Sequence, residues 1–225
     1  QSILNINKKY AKSYIALAHI ARLQEQTKKI EPLLKKGYDL TKGNLPFHLS
    51  IAKDLAKHYI YHNQPIKLSN LSNELIKQHP ESNDALFFHV DTLISRNDKA
   101  AAELLLKQLI RKSPHKTEYK VRLTNLLAKQ PKHQKETLTL LDEIIQENPD
   151  KIQAYIFKTS HLIALKQFSK AHSSVNIIGN RFPKQSIAKQ LQAKVYLAEK
   201  NIEAATESYR QAYKQHADNK ILLIL

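Results

Sequence analysis

Apolar residues recur along the chain at intervals of three and four, in stretches of about a dozen residues separated by short polar turns. That interval places them on one face of an α-helix, so each stretch reads as amphipathic. Turns centred on His62-Asn63-Gln64, Ser95-Arg96-Asn97-Asp98, Lys129-Gln130-Pro131-Lys132 and Glu199-Lys200-Asn201 join these helices into antiparallel pairs. Each pair closes on a proline: Pro46, Pro80, Pro114, Pro149 and Pro183, with steps of 34, 34, 35 and 34 residues. Proline removes a backbone donor and turns the residue before it away from the helical region, so each one marks a boundary. A further step reaches Ala217, within His216-Ala217-Asp218-Asn219. A period in the thirties predicts stacked supersecondary units rather than a folded-back globule.

Aligned on the prolines, the units share apolar columns. Midway along the first helix stand Tyr59, Leu93, Leu127, Leu162 and Tyr196, and three residues earlier Ala56, Val90, Thr124, Thr159 and Ala193. The second helix repeats a small residue at Ala102, Ala171 and Ala205, then Leu106, Val175 and Tyr209, then Leu109, Ile178 and Ala212. Small columns mark close helix approach and large ones fill the space between. Two units depart from the small column with Leu68 and Thr137, and the unit ending at Pro149 carries one extra residue. Upstream, Tyr14, Leu17, Ala18 and Ala21 fit a first helix, and Leu33, Leu34 and Tyr38 a second. Residues 11–48 are therefore expected to form an atypical unit, with about four extra residues in the connection from Gln26 to Pro32.

The columns resemble the tetratricopeptide repeat (TPR): small, aromatic or Leu, small, aromatic, small, then proline. The fullest copy is Ala193-Lys194-Val195-Tyr196 with Ala205, Tyr209, Ala212 and Ala217. The resemblance covers residues 49–219 in five units, and implies an all-α, right-handed superhelical solenoid of antiparallel helix pairs. The expected organisation is one array over 1–225, divided into repeats 11–48, 49–82, 83–116, 117–151, 152–185 and 186–219, with another beginning at 220–225. The family's early Trp is absent, and its Leu-Gly pair is replaced by His89-Val90, Lys158-Thr159 or Gln192-Ala193. Both ends read as cuts through a longer array, since the chain starts at Gln1 and stops on the apolar run 221–225.

Composition agrees with helix: three glycines in 225 residues leave little material for β-turns. With no cysteine, disulfides, thiol catalysis and Cys-based zinc sites are excluded, which suits a periplasmic setting without excluding the cytoplasm. No apolar run approaches the ~20 residues that span a bilayer. Three scattered glycines build no phosphate-binding loop, and no serine stands in a nucleophile-elbow setting. His58 and His62 share a helical face, but Tyr59 occupies the glutamate position of HExxH, so they read as surface histidines and no metal is expected. Neither catalytic residues nor a cofactor are expected, and the chain reads as a non-enzyme.

Recognition is what remains. The family's carboxylate clamp does not transfer: of the corresponding Lys53, Lys57, Phe88, Glu118 and Arg122, only Lys53 and Arg122 match, and Glu118 would repel a carboxylate. The resemblance also implies that first helices line a concave groove. Its expected lining is Lys53, Lys57 and Tyr61, then Phe87 and Asp91, then Arg122, Asn125 and Lys129, then Ile156 and Ser160, then Gln190 and Lys194, with Val121 and Ile163 beside them. Such a mixture of apolar and cationic groups suits a protein or peptide ligand.

The net charge is +16, and residues 151–198 hold eight basic side chains and no acid, so an anionic polymer is the alternative partner. Nucleic acid is the weaker form of that alternative, because Lys far outnumbers Arg and no aromatic-basic module is present. The last units, with Asn180-Arg181-Phe182-Pro183 and Ala204-Ala205-Thr206-Glu207-Ser208-Tyr209, are also similar in style to TPR lipoproteins of PEP-CTERM/exosortase exopolysaccharide systems. That likeness implies a periplasmic or outer-membrane-associated scaffold for export or protein sorting.

Overall fold

The computed structural model describes residues 11–183 and 185–215, and every regular element among them is helical. Six antiparallel pairs follow one another: α1 (Ala11–Leu23) with α2 (Thr27–Leu40), α3 (Leu45–Tyr61) with α4 (Pro65–Gln78), α5 (Asn83–Ser95) with α6 (Lys99–Lys112), α7 (Thr117–Leu127) with α8 (Gln134–Glu147), α9 (Ile152–Ala164) with α10 (Phe168–Arg181), and α11 (Ile187–Ala198) with α12 (Ile202–Gln215). The fold is an all-α solenoid of helix pairs. The ladder step at Ala217 and the apolar run 221–225 lie outside the described residues.

Two compact units emerge, Gln1–Pro114 and His115–Leu225, divided at one of the ladder prolines. Within the first, each helix packs on the next, and α3 also touches α5; the second follows the same rule, with α9 touching α11. The repeat columns form the core. Tyr59, Leu93, Leu127 and Leu162 are buried, as are Ala56, Val90, Thr124, Thr159 and Ala193, and every member of the three second-helix columns; Tyr196 alone stays half-exposed. Burying these faces is the main stabilising term, at roughly 25 cal/mol per Å² of apolar surface.

Turn geometry explains how so few glycines suffice. Five of the six turns within pairs hold a left-handed residue: Glu25, Asn63, Asn97, Lys166 and Lys200, with φ of 51–65°. Each belongs to a helix-terminating motif in which the next residue's N–H reaches back five residues, as in Gln64 to the Tyr59 carbonyl (2.8 Å) and Asn201 to that of Tyr196 (2.9 Å). The side chains of Asp98 and Asn201 then accept from the third N–H of the following helix. The sixth turn absorbs the extra residue of its repeat in a 3₁₀ segment, Pro131–His133.

The first pair corrects one expectation. Its connection, Gln24-Glu25-Gln26, is as short as the others, and Pro32 sits inside α2. Pro32 forgoes a hydrogen bond to the Lys28 carbonyl, but both residues face water, which can satisfy that oxygen. The additional residues instead lengthen α3, which begins at Leu45, before the expected frame at Leu49. Asn44 caps this extra turn, and His48 anchors it. The fully buried imidazole stacks on Tyr38 at 3.9 Å, donates from Nδ1 to the Tyr38 carbonyl (3.0 Å) and meets the Gln78 side-chain amide through Nε2 (2.9 Å). One residue so ties α2, α3 and α4, and burial holds its pKa below the usual histidine value.

Candidate functional site

Steps of four along a first helix align side chains on its outer line. On α3, Lys53, Lys57 and Tyr61 are all exposed, Tyr61 at 85%. On α5, which packs beside α3, Asp91 is exposed and Phe87 half-buried. In the second unit α7 presents Asn125, with Arg122 half-buried, and Lys129 follows just past its end. On the touching pair α9 and α11, Ser160 and Lys194 are exposed, while Ile156 and Gln190 are half-buried. Gln190 donates to the Ser186 hydroxyl at 2.9 Å. Exposed apolar side chains flank these lines, with Ile60 and Val121 at 56% and 40% and Leu197 at 42%. Phe88, at the clamp position, is buried in the core.

A cavity of about 530 Å³ opens between α1 and α3. Ile15, Ala16, His19 and Arg22 line it from α1, and Phe47, Ser50 and Asp54 from α3, above Leu34 and Ala18. Counting back from the left-handed turn residue, Ile15, His19 and Arg22 hold the same helical positions as Lys53, Lys57 and Ile60. The α1 side was missed from the sequence because no proline stands at ladder spacing before Pro46 to fix its frame. A similar spacing of Ile15, His19 and Arg22 to Glu25 was the available signal. Lys57 reaches Asp54 at 3.3 Å, leaving Arg22 without an ion pair among the described residues.

Elsewhere two titratable clusters brace helix packing. Glu31 of α2 holds Lys35 (2.9 Å) and, from α4, Lys67 (2.9 Å), and accepts from the Tyr59 hydroxyl (3.3 Å). Burial opposes ionisation of Glu31, but the bonds from Lys67 and Lys35 outweigh it and bring its pKa down to about 2. In the second unit Lys120 of α7, with a side chain only 7% exposed, meets Glu147 (2.6 Å) and Glu143 (3.0 Å) of α8. Burial disfavours its charge, yet hydrogen bonds from Lys120 to the two carboxylates leave its pKa above the usual lysine value. His58 is buried and not a surface histidine as expected; its ring lies 4.4 Å from that of His62, and burial with the neighbouring imidazole lowers its pKa.

No protein-family model and no curated protein matches the sequence. Solved structures do match. The protein described as pilF of Pseudomonas aeruginosa aligns with a TM-score of 0.61 at 11% identity, covering 92% of each chain. TTC0263, a thermophilic TPR protein of Thermus thermophilus, aligns at 0.53 with 16% identity, covering 78% of this chain and 95% of its own. YrrB, described as a TPR protein with an unusual peptide-binding site, aligns at 0.51 with 14% identity, over 99% of this chain and 94% of its own.

The fold is that of TPR proteins.

In TPR terms, the lines on α3, α5, α7, α9 and α11 are first-helix positions, and the α1–α3 cavity lies between two first helices. No helix among the described residues is long and apolar enough to cross a membrane.

Proposed function

We propose that the chain is a non-enzymatic scaffold, one TPR array whose first helices bind a protein or peptide. The observation that carries this reading is the exposed mixture of cationic and apolar groups on those helices, from Lys53, Lys57 and Tyr61 to Ser160 and Lys194. Such surfaces suit extended or helical peptides, which match side chains to alternating polar and apolar patches. The peptide-binding site ascribed to YrrB supports the same class of partner. Reversing charge at Lys53, Lys57, Arg122 and Lys129 together to Glu should abolish capture of peptides selected on the native chain. Retained capture, with native helicity, would refute the role of these lines.

One observation favours a second reading, an anionic polymer. Of the eight basic residues in 151–198, Lys158 and Arg181 pair with Asp142 and Asp150, and the segment itself supplies no acid to the others. Heparin, alginate or DNA should then bind at low salt and weaken steeply as salt rises. The finer role, exopolysaccharide export or protein sorting at the cell envelope, rests on the sequence style of the last two repeats alone.

A further inference from the structure

We infer that the α1–α3 cavity is a side-chain pocket for a peptide that carries a bulky apolar residue next to a carboxylate. The inference rests on the peptide-scaffold reading and names the chemistry the partner must have. The floor and part of each wall are apolar: Leu34 and Ala18 are buried beneath, Ile15 is half-buried, and Phe47 is 39% exposed. At about 530 Å³ the cavity has the size of a small-ligand pocket, and falls within the range that takes one large side chain with its flanking backbone. Apolar surface continues along α1 through Ile20 and Leu23, at 42% and 72% exposure.

The rim selects sign. Its one lining acid, Asp54, is already held by Lys57, so an incoming carboxylate meets no uncompensated negative charge there. Arg22 lines the same cavity, is exposed, and has no ion pair among the described residues. A guanidinium offers two parallel donors to a carboxylate, a geometry that rewards an acidic residue one step from the apolar anchor. Exposed Ser50 and His19 stand on opposite walls, where an extended backbone would need hydrogen-bond partners. A basic or uncharged peptide forgoes the pairing with Arg22.

Phage-displayed random heptapeptides selected on the whole chain test the idea. The enriched set should place Phe, Leu or Trp beside Asp or Glu. A synthetic fluorescein-labelled member should bind Ala16→Trp, which fills the cavity from an exposed position, and Arg22→Glu each about tenfold or more weakly. Lys112→Glu, on the exposed side of α6, should leave binding unchanged and so controls for net charge. Selected peptides that lack the apolar-acidic pair, or that bind Ala16→Trp and Arg22→Glu as tightly as the native chain, overturn this pocket while peptide binding itself stands. Failure to enrich any peptide defeats both.

Discussion

The two units hold themselves together with charge clusters of opposite polarity. In the first, one acid, Glu31, sits between two lysines and a tyrosine hydroxyl drawn from α2, α3 and α4. In the second, one lysine, Lys120, sits between two glutamates of a single neighbouring helix. The first spans adjacent repeats; the second braces one repeat internally. Either sign serves, because the requirement is that a half-buried charge be compensated, and the repeat architecture leaves open which partner supplies it. What differs is the condition under which each cluster fails.

Removing the buried member of the second cluster should have the largest effect. Lys120→Ala strips a packed alkyl stem and leaves two facing carboxylates, costing about 2 kcal/mol, less than a fully buried pair because Glu143 is half in water. Lys120→Met, which restores the stem, should recover most of that in denaturant melts. If Lys120→Met is as damaging as Lys120→Ala, the ion cluster and not the packing is what matters.

Glu31→Gln should cost less, about 1 kcal/mol, since Lys35 and Lys67 are half-exposed. Its distinguishing sign is pH. The folded pKa of Glu31, about 2, lies below its ordinary value of 4.5, so its contribution is present above pH 4.5 and lost as pH falls toward 2. Lys120 has a raised pKa, so its contribution is present below the ordinary lysine pKa and lost as pH rises through the higher folded value. Melts across the pH range should therefore show Glu31→Gln converging on the native chain at the acid end and Lys120→Met at the alkaline end. Parallel curves would dissolve the contrast.

An effect of similar size to that of Glu31→Gln runs the other way. Thr137, on α8, is fully buried with its hydroxyl unpartnered, in the column filled elsewhere by Ala102, Ala171 and Ala205. Thr137→Val should stabilise by about 1 kcal/mol, relieving an unsatisfied polar group in the same helix pair that Lys120 braces. No gain would indicate that the hydroxyl finds a partner in solution.

Much of this architecture was legible in the chain. Columns such as Leu127 and Ala171 announce themselves because helical periodicity and the proline ladder act locally and repeat, so each unit confirms the frame of the next. The charge clusters were not, since Glu31 and Lys67 lie 36 residues apart and their meeting depends on packing between helices and not on spacing along one. Pro32 misled because a proline near a helix start and one at a boundary share the same local signature. The frame was enough to number the first-helix positions on α3 to α11, but not to show that Phe87, Arg122, Ile156 and Gln190 are half-buried there; the cavity escaped it, because its α1 wall lies where the ladder gives no register. Nor did the sequence show that Gln190 is engaged by Ser186.

The left-handed turn residues bear on the denatured chain as well as the native one. Asn63 and Asn97 tolerate that conformation, whereas Glu25, Lys166 and Lys200 hold it under strain of about 1–2 kcal/mol each. A glycine would remove the strain, but it would also widen the range of shapes open to the unfolded chain, which favours unfolding. The two terms oppose each other at Glu25, Lys166 and Lys200, so the array keeps side chains there at little net loss, and its folding entropy is set partly in the turns and not only in the packed helices.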